Sequence, residues 1–179
     1  MNPRPTTPTI RELRATDSIA SLTHLIHESY ASHAALGLRY WGTHQTEEDT
    51  AKRYAMGVGL VAEFEGAFVG TLTLRRPQPA SPLILYRNPG VWSLSQFAVA
   101  PQFKRQGLGW ALHEAAEEIA IHRGAVILAL DTATPAAALI EMYKSWGYAV
   151  VGEHDWRPHT NYVSTVMSRS VSALPVRVP

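Results

Sequence analysis

One stretch constrains the fold more than any other: "VWSLSQFAVAPQFKRQGLGWALHEAAEEIAIHRGAVILAL", residues 91–130. It opens as a strand over 91–99 and closes on an unbroken apolar run, "AVILAL" at 125–130, which marks a central, parallel-type strand. Between them Leu108, Ala111, Leu112, Ala115, Ala116 and Ile119 make a helical apolar stripe. His113, Glu114, Glu117 and Glu118 are expected to face outward. Strand, crossover helix, strand is a βαβ unit. In the first strand Trp92 and Leu94 share one face, whereas Phe97 and Val99 share the other. The apolar phase slips near Ser95–Gln96, which fits a β-bulge or a strand buried on both faces.

The helix begins at Gly107-Leu108-Gly109, preceded by Lys104, Arg105 and Gln106 and followed by Trp110. Glycine is a poor helix former, so a need for the backbone itself is implied. A helix start leaves N–H groups unpaired and carries partial positive charge. Without side chains, Gly107 and Gly109 open those amides to a phosphate, and two cations stand beside them. Close packing explains a glycine pair equally well. A Walker A loop is excluded, since no Gly-Lys-Ser/Thr follows; a Rossmann fingerprint needs a small residue where Leu112 stands.

Elsewhere "TIRELR" (9–14) alternates like a strand, and a helix follows with Thr16 as its expected cap and Gly37 after its end. Thr46 with Asp49 forms a capping signature for a second helix closed by Gly57. Residues 59–76 read as a hairpin turning at Glu65–Gly66, and the proline-rich 77–90 as a loop. Thr134 is expected to cap a further helix with Pro135 at its first position and Leu139, Met142, Tyr143 and Trp146 on one side. Strands at about 148–154 and 162–169 close the chain. One domain over 9–170 is expected, with a loose leader (1–8) and a tail (171–179).

Of 179 residues none is cysteine, which excludes disulfides and thiolate chemistry and fits a reducing, cytoplasmic setting. Net charge is +1, so nucleic acid is not the expected partner. No apolar run approaches the roughly 20 residues of a membrane span, and the N-terminus carries no secretory h-region. No metal site is expected.

Two motifs resemble the GNAT superfamily of acetyl-CoA-dependent N-acetyltransferases. Its signature, Val-x-Pro-x-x-Arg/Gln-x-x-Gly-x-Gly/Ala, stands here as Val99, Pro101, Lys104, Gly107 and Gly109, with lysine in place of the usual Arg or Gln. Its second signature, Tyr-x-x-x-Gly-Phe/Tyr, stands as Tyr143, Gly147 and Tyr148. The resemblance covers roughly residues 9–169. It implies an α/β (α+β) fold: a mixed, mostly antiparallel sheet of six to seven strands flanked by helices and splayed between 91–99 and 125–130. Acetyl-CoA is the implied cofactor, its pantetheine arm along Phe97, Ala98 and Val99, with a contact from Thr134. The pyrophosphate would lie on Lys104 through Trp110. Tyr143 would sit at the sulfur and the Val99 N–H at the developing oxyanion.

The implied reaction is acetyl transfer to an amine by direct attack. The alternatives are a small-molecule acceptor, a protein or peptide acceptor, and a non-catalytic acetyl-CoA-binding module. Many members carry a glutamate base near the position of Ser95; Ser93, Ser95 and Gln96 cannot serve as bases. Water or a histidine must then take the proton, with His154 and His159 nearest by element order. Tyr40, Trp41, His154, Trp156, His159 and Tyr162 are candidates for an acceptor pocket, with His44 beside them. Homodimers are common in the family, so a homodimer is among the expected assemblies.

Overall fold

The computed structural model describes residues 7–171. The expected leader and tail lie outside the described residues except for Thr7, Pro8 and Val171. The elements in chain order are β1 (Thr9–Glu12), α1 (Ile19–Ala35), α2 (Glu47–Ala55), β2 (Gly57–Phe64), β3 (Ala67–Arg75), β4 (Val91–Val99), α3 (Leu108–His122), β5 (Ile127–Ala133), α4 (Ala137–Ser145), β6 (Ala149–Asp155) and β7 (Val163–Ser170). They build one seven-stranded sheet, ordered β1-β2-β3-β4-β5-β7-β6. Among the described residues only β4 and β5 pair in parallel. No helix among the described residues is long and apolar enough to cross a membrane.

Local chemistry sets the boundaries. Thr46 and Asp49 form the expected capping box on α2. The β2–β3 hairpin turns at Glu65 and Gly66, both in the left-handed region as a tight primed turn requires. Three expected boundaries move. Ser18, not Thr16, caps α1, because its side chain accepts the Ser21 N–H. Gly57 starts β2 rather than closing α2; a Cβ there would stand 1.9 Å from the Leu74 carbonyl oxygen on the neighbouring strand. Thr134 does not cap α4, since its hydroxyl is shared with Thr165 on β7, and α4 begins after Ala136 with no side-chain cap.

The two faces of the central strands differ. Gly70, Leu72 and Leu74 of β3 face α3, where the Leu112 side chain comes against Gly70. That side is the apolar core, joined by Leu108, Ala116 and Leu128. Thr71, Thr73 and Arg75 point the other way, under α1 and α2, and both threonines are fully buried. A polar network runs there. Thr23 Oγ1 donates to Thr50 Oγ1 at 2.8 Å, Gln45 Nε2 to Gln96 Oε1 at 2.6 Å, and Gln96 Nε2 to Thr73 Oγ1 at 3.0 Å. One expectation on the α3 face is overturned. His113 is buried rather than outward: it shares a 2.9 Å hydrogen bond with the Tyr148 hydroxyl, and Trp110 stacks on it at 5.1 Å.

Candidate active site

The phase slip in β4 is a bulge. The β3–β4 register passes from Thr73↔Ser95 to Thr71↔Ala98, and Gln96 holds φ 48. Its amide side chain anchors that strained residue in the polar network. The bulge turns successive backbone groups of β4 to opposite sides. Ala98 is registered on Thr71, so its backbone belongs to the β3 ladder. Phe97 and Val99 aim the other way, toward β5.

The β4–β5 pairing ends there. Parallel partners run only over Val91↔Ile127, Trp92↔Leu128 and Ser93↔Ala129; beyond them the strands fork apart. Two residues of α1 meet the exposed edge of β4. The Tyr30 hydroxyl donates to the Phe97 carbonyl at 3.1 Å, and the Val99 N–H donates to Ser29 Oγ at 3.1 Å. The Ser29 oxygen thus marks where an acceptor oxygen sits against the Val99 amide. Burial pushes the Tyr30 hydroxyl up to about 12, so it stays a donor at neutral pH.

Tyr143, on α4, is buried, with its ring edge-on to Trp146 at 5.5 Å and to Tyr148 at 5.9 Å. Its hydroxyl makes no hydrogen bond to the described residues. Burial first, then the neighbouring Tyr30, Tyr148, Tyr40 and Asp131, hold its pKa well above the ordinary tyrosine value.

The turn into α3 leaves its first amides open. Arg105 (φ 61) and Gly107 (φ 83) are both left-handed, and Gly107 is the N-cap with no side-chain hydrogen bond. No acidic residue lies in the first turn. A Cβ at Gly109 would meet nothing closer than 3.8 Å, so that glycine leaves its backbone open rather than filling a tight contact. The residues therefore fit a pyrophosphate on these amides. The cations divide. Lys104 Nζ donates to the Ser29 carbonyl at 2.8 Å, and Gln106 bonds the Gln102 carbonyl. Arg105 is exposed, without a hydrogen bond among the described residues. Trp110 turns to His113 and Trp146.

The candidate acceptor residues come together as three ring pairs. Tyr40 packs on Tyr162 at 5.0 Å, Trp41 stacks on His159 at 4.8 Å, and His154 meets Trp156 at 4.2 Å. Two of the pairs reach the end of β5. The Tyr40 hydroxyl shares a proton with Thr132 Oγ1 at 3.0 Å and accepts the Ala133 N–H. Trp156 Nε1 donates to Asp131 Oδ2 at 2.9 Å, and the Tyr86 hydroxyl to Asp131 Oδ1 at 2.8 Å. Asp131 thus holds two ring donors. His44 lies apart, bonded to Thr43.

Sequence reasoning missed Ser29 and Tyr30 on α1, and Arg53 and Arg75. Arg53 Nη1 donates to Gln45 Oε1, and its guanidinium lies 5.8 Å from the Trp41 ring. Arg75 lies across from Ser93.

The sequence model of the Acetyltransferase (GNAT) family matches residues 19–148. S-(2-succino)cysteine N-acetyltransferase of Bacillus subtilis (strain 168) is 31% identical over 136 residues, 75% of this chain and 80% of that protein. Among solved structures, the ribosomal-protein-S18-alanine N-acetyltransferase from Escherichia coli superposes with a TM-score of 0.71 at 19% identity, covering 96% of this chain and 99% of that one. A GNAT acetyltransferase from Elizabethkingia anophelis with acetyl-CoA bound gives 0.65 at 14% identity, covering 93% and 100%. A forked β4–β5 edge, an uncapped glycine-opened helix start and a buried tyrosine beside them thus stand in a matching sequence and fold, and the chain belongs to the GNAT family of acetyl-CoA-dependent N-acetyltransferases.

Proposed function

We propose that this enzyme acetylates the primary amine of a small molecule by direct attack, with Tyr143 and the Val99 amide serving the reacting centre. The observation that carries the reading is the wall around the end of β5. Two of the three ring pairs reach it, and the carboxylate at that end, Asp131, already accepts from Tyr86 and Trp156. A peptide-modifying enzyme calls for an open acidic groove. The Bacillus subtilis relative, named for S-(2-succino)cysteine, supports a small acceptor.

Acetyl-CoA supplies the thioester carbonyl. The Phe97 carbonyl and Val99 amide orient its arm along β4, and the amides from Gly107 onward hold its phosphates. The Val99 N–H, aimed off the bulge, stabilises negative charge on the carbonyl oxygen as the amine adds. Tyr143 donates a hydrogen bond to the departing thiolate. Full proton transfer from an ordinary tyrosine to such a thiolate is uphill by about 2 kcal/mol, and burial of Tyr143 makes it steeper. Ser93, Ser95 and Gln96 leave β4 without a base. The amine's proton goes to water or to His154 or His159.

Tyr143→Phe tests the reading. It keeps the ring contacts and removes only the hydroxyl, so kcat for thiol release should fall about 10²-fold while acetyl-CoA affinity, measured by calorimetry, stays unchanged. Equal kcat would make Tyr143 a packing residue.

A further inference from the structure

We propose that Arg53 and Arg75 form a recognition pair for carboxylates, so that the enzyme selects amine acceptors bearing two or more carboxylate groups. The proposal rests on the small-molecule reading above and names the class of acceptor for the same site.

The two arginines come from α2 and β3 and lie on one side of the sheet. Arg75 is registered opposite Ser93, and Thr73 opposite Ser95, so all four side chains share the face beneath α1 and α2. Arg53 joins that face through Gln45, which bonds Gln96, which bonds Thr73. It also borders the fork: its charge acts on Tyr30, whose hydroxyl holds the Phe97 carbonyl.

Both guanidiniums are half-buried, yet among the described residues neither meets a carboxylate. Arg53 has the neutral oxygen of Gln45 and the face of Trp41. Arg75 Nη2 has the oxygen of Gln78 and, at 3.2 Å, the sulfur of Met56. The field of Asp131 reaches both, but its two oxygens are occupied by the Tyr86 hydroxyl and the Trp156 indole. Burial lowers Arg53 to about 10 and lowers Arg75, outweighing the opposing field of Asp131; both remain cations at neutral pH.

A second observation points to a ligand. Three buried side-chain polar atoms among the described residues have no hydrogen-bond partner: Arg75 Nε, Ser95 Oγ and His113 Nδ1. The first two lie on this one face, on adjacent strands. Buried donors are normally satisfied. A carboxylate accepts from the planar edge of a guanidinium through two oxygens, so it would use Arg75 Nε and Nη together. Ser95 adds a hydroxyl one step closer to the bulge. Two separated guanidiniums call for two carboxylates, with the amine of the same molecule directed to the fork.

The test uses thiol release from acetyl-CoA with L-aspartate, L-glutamate and S-carboxymethyl-L-cysteine, each beside its diamide. Wild type should favour the diacids by roughly 10²-fold in kcat/KM. Arg53→Gln and Arg75→Gln should each lower kcat/KM for the diacids about tenfold or more, mainly through KM, and leave the diamides unchanged. A second arm reads binding without turnover. Succinate should raise the unfolding midpoint of wild type by about 2 °C or more, succinamide should not, and the Arg53→Gln/Arg75→Gln double variant should lose the response. Equal rates with diacids and diamides, or selectivity unchanged in the variants, overturn the pair and leave the acetyltransferase reading standing. Thiol release from no panel member counts against the small-molecule reading, and succinate then decides the pair alone: protection lost in the double variant upholds it, and absent protection overturns it.

Discussion

Four arginines among the described residues are half-buried, and they fall into two kinds. Arg11 and Arg169 are satisfied by acids. Arg11 bridges Asp17 at 2.8 Å and Glu63 at 2.9 Å, tying the loop after β1 to β2. Arg169 on β7 reaches Glu117 on α3 at 2.9 Å. Arg53 and Arg75 meet only neutral groups. The Asp17 carboxylate holds the Arg11 guanidinium further toward its charged form, while burial moves Arg53 down to about 10. Paired cations tie elements together. Unpaired ones keep a desolvation cost that an anionic ligand can relieve.

The largest effect that would sharpen this contrast is on stability. Arg11→Gln leaves the Asp17 carboxylate, 8% exposed, without its guanidinium, and should cost about 3 kcal/mol in chemical denaturation at neutral pH. Arg53→Gln removes a cation that no acid needs, and should change stability by less than about 0.5 kcal/mol while weakening acceptor use. If both variants lose stability equally, Arg53 is held for its contacts with Trp41 and Gln45, and the contrast fails.

A buried histidine supplies the next effect. His113 is fully buried, and burial, assisted by the Arg169 charge, lowers it from 6.5 to about 4. Folded protein therefore binds fewer protons than unfolded protein between these values, so stability rises with pH across that window and is lost as pH falls from about 6.5 to about 4. The loss from this group at pH 4.5 is about 2 kcal/mol. His33 and His44 are lowered by burial too and add to the slope in the same direction. His113→Gln, which can still bond the Tyr148 hydroxyl, should flatten the stability–pH curve over this range. An unchanged slope would place the acid sensitivity in other groups.

These contrasts also explain what the sequence could and could not reveal. The phase slip was legible and fitted a bulge or a strand buried on both faces; the structure decides for the bulge, with Gln96 as the extra residue. The glycine-opened turn was legible as a place where the chain leaves its backbone bare, and the free space beside Gly109 decides against close packing as the reason. Both are backbone features, written in local spacing. The ring pairs near the end of β5 come from the segment between α1 and α2, from β6 and from the β6–β7 loop, and no local pattern joins them. Thr71-Leu72-Thr73-Leu74-Arg75 reads as a strand with its polar face in water; that face is covered by α1 and α2, which bring Thr23, Gln45 and Thr50 of their own. His113 failed for the same reason, since a polar residue off the apolar stripe found a buried partner in Tyr148, 35 residues away.

The smallest effect tests whether the paired arginines act only as ties. Glu117 stands between two bases: its Oε1 accepts from Arg169 at 2.9 Å, and its Oε2 lies 3.8 Å from His113 Nδ1, which has no hydrogen-bond partner. Arg169 has first claim on that carboxylate, and its charge opposes protonation of His113. Arg169→Gln should cost about 1 kcal/mol at pH 7, since Glu117 is 17% exposed and keeps some access to water. On acidification the difference shrinks. With the guanidinium gone, Glu117 becomes the counter-ion of a protonated His113, whose folded pKa then moves back toward 6.5 and whose share of the acid loss shrinks. The variant should thus be less stable than wild type at pH 7 and recover most of the difference by about pH 5, read as converging denaturation midpoints. Parallel stability–pH curves for the two proteins would show that Arg169 and His113 do not compete for Glu117, and that the ion pair is a tie between β7 and α3 and nothing more.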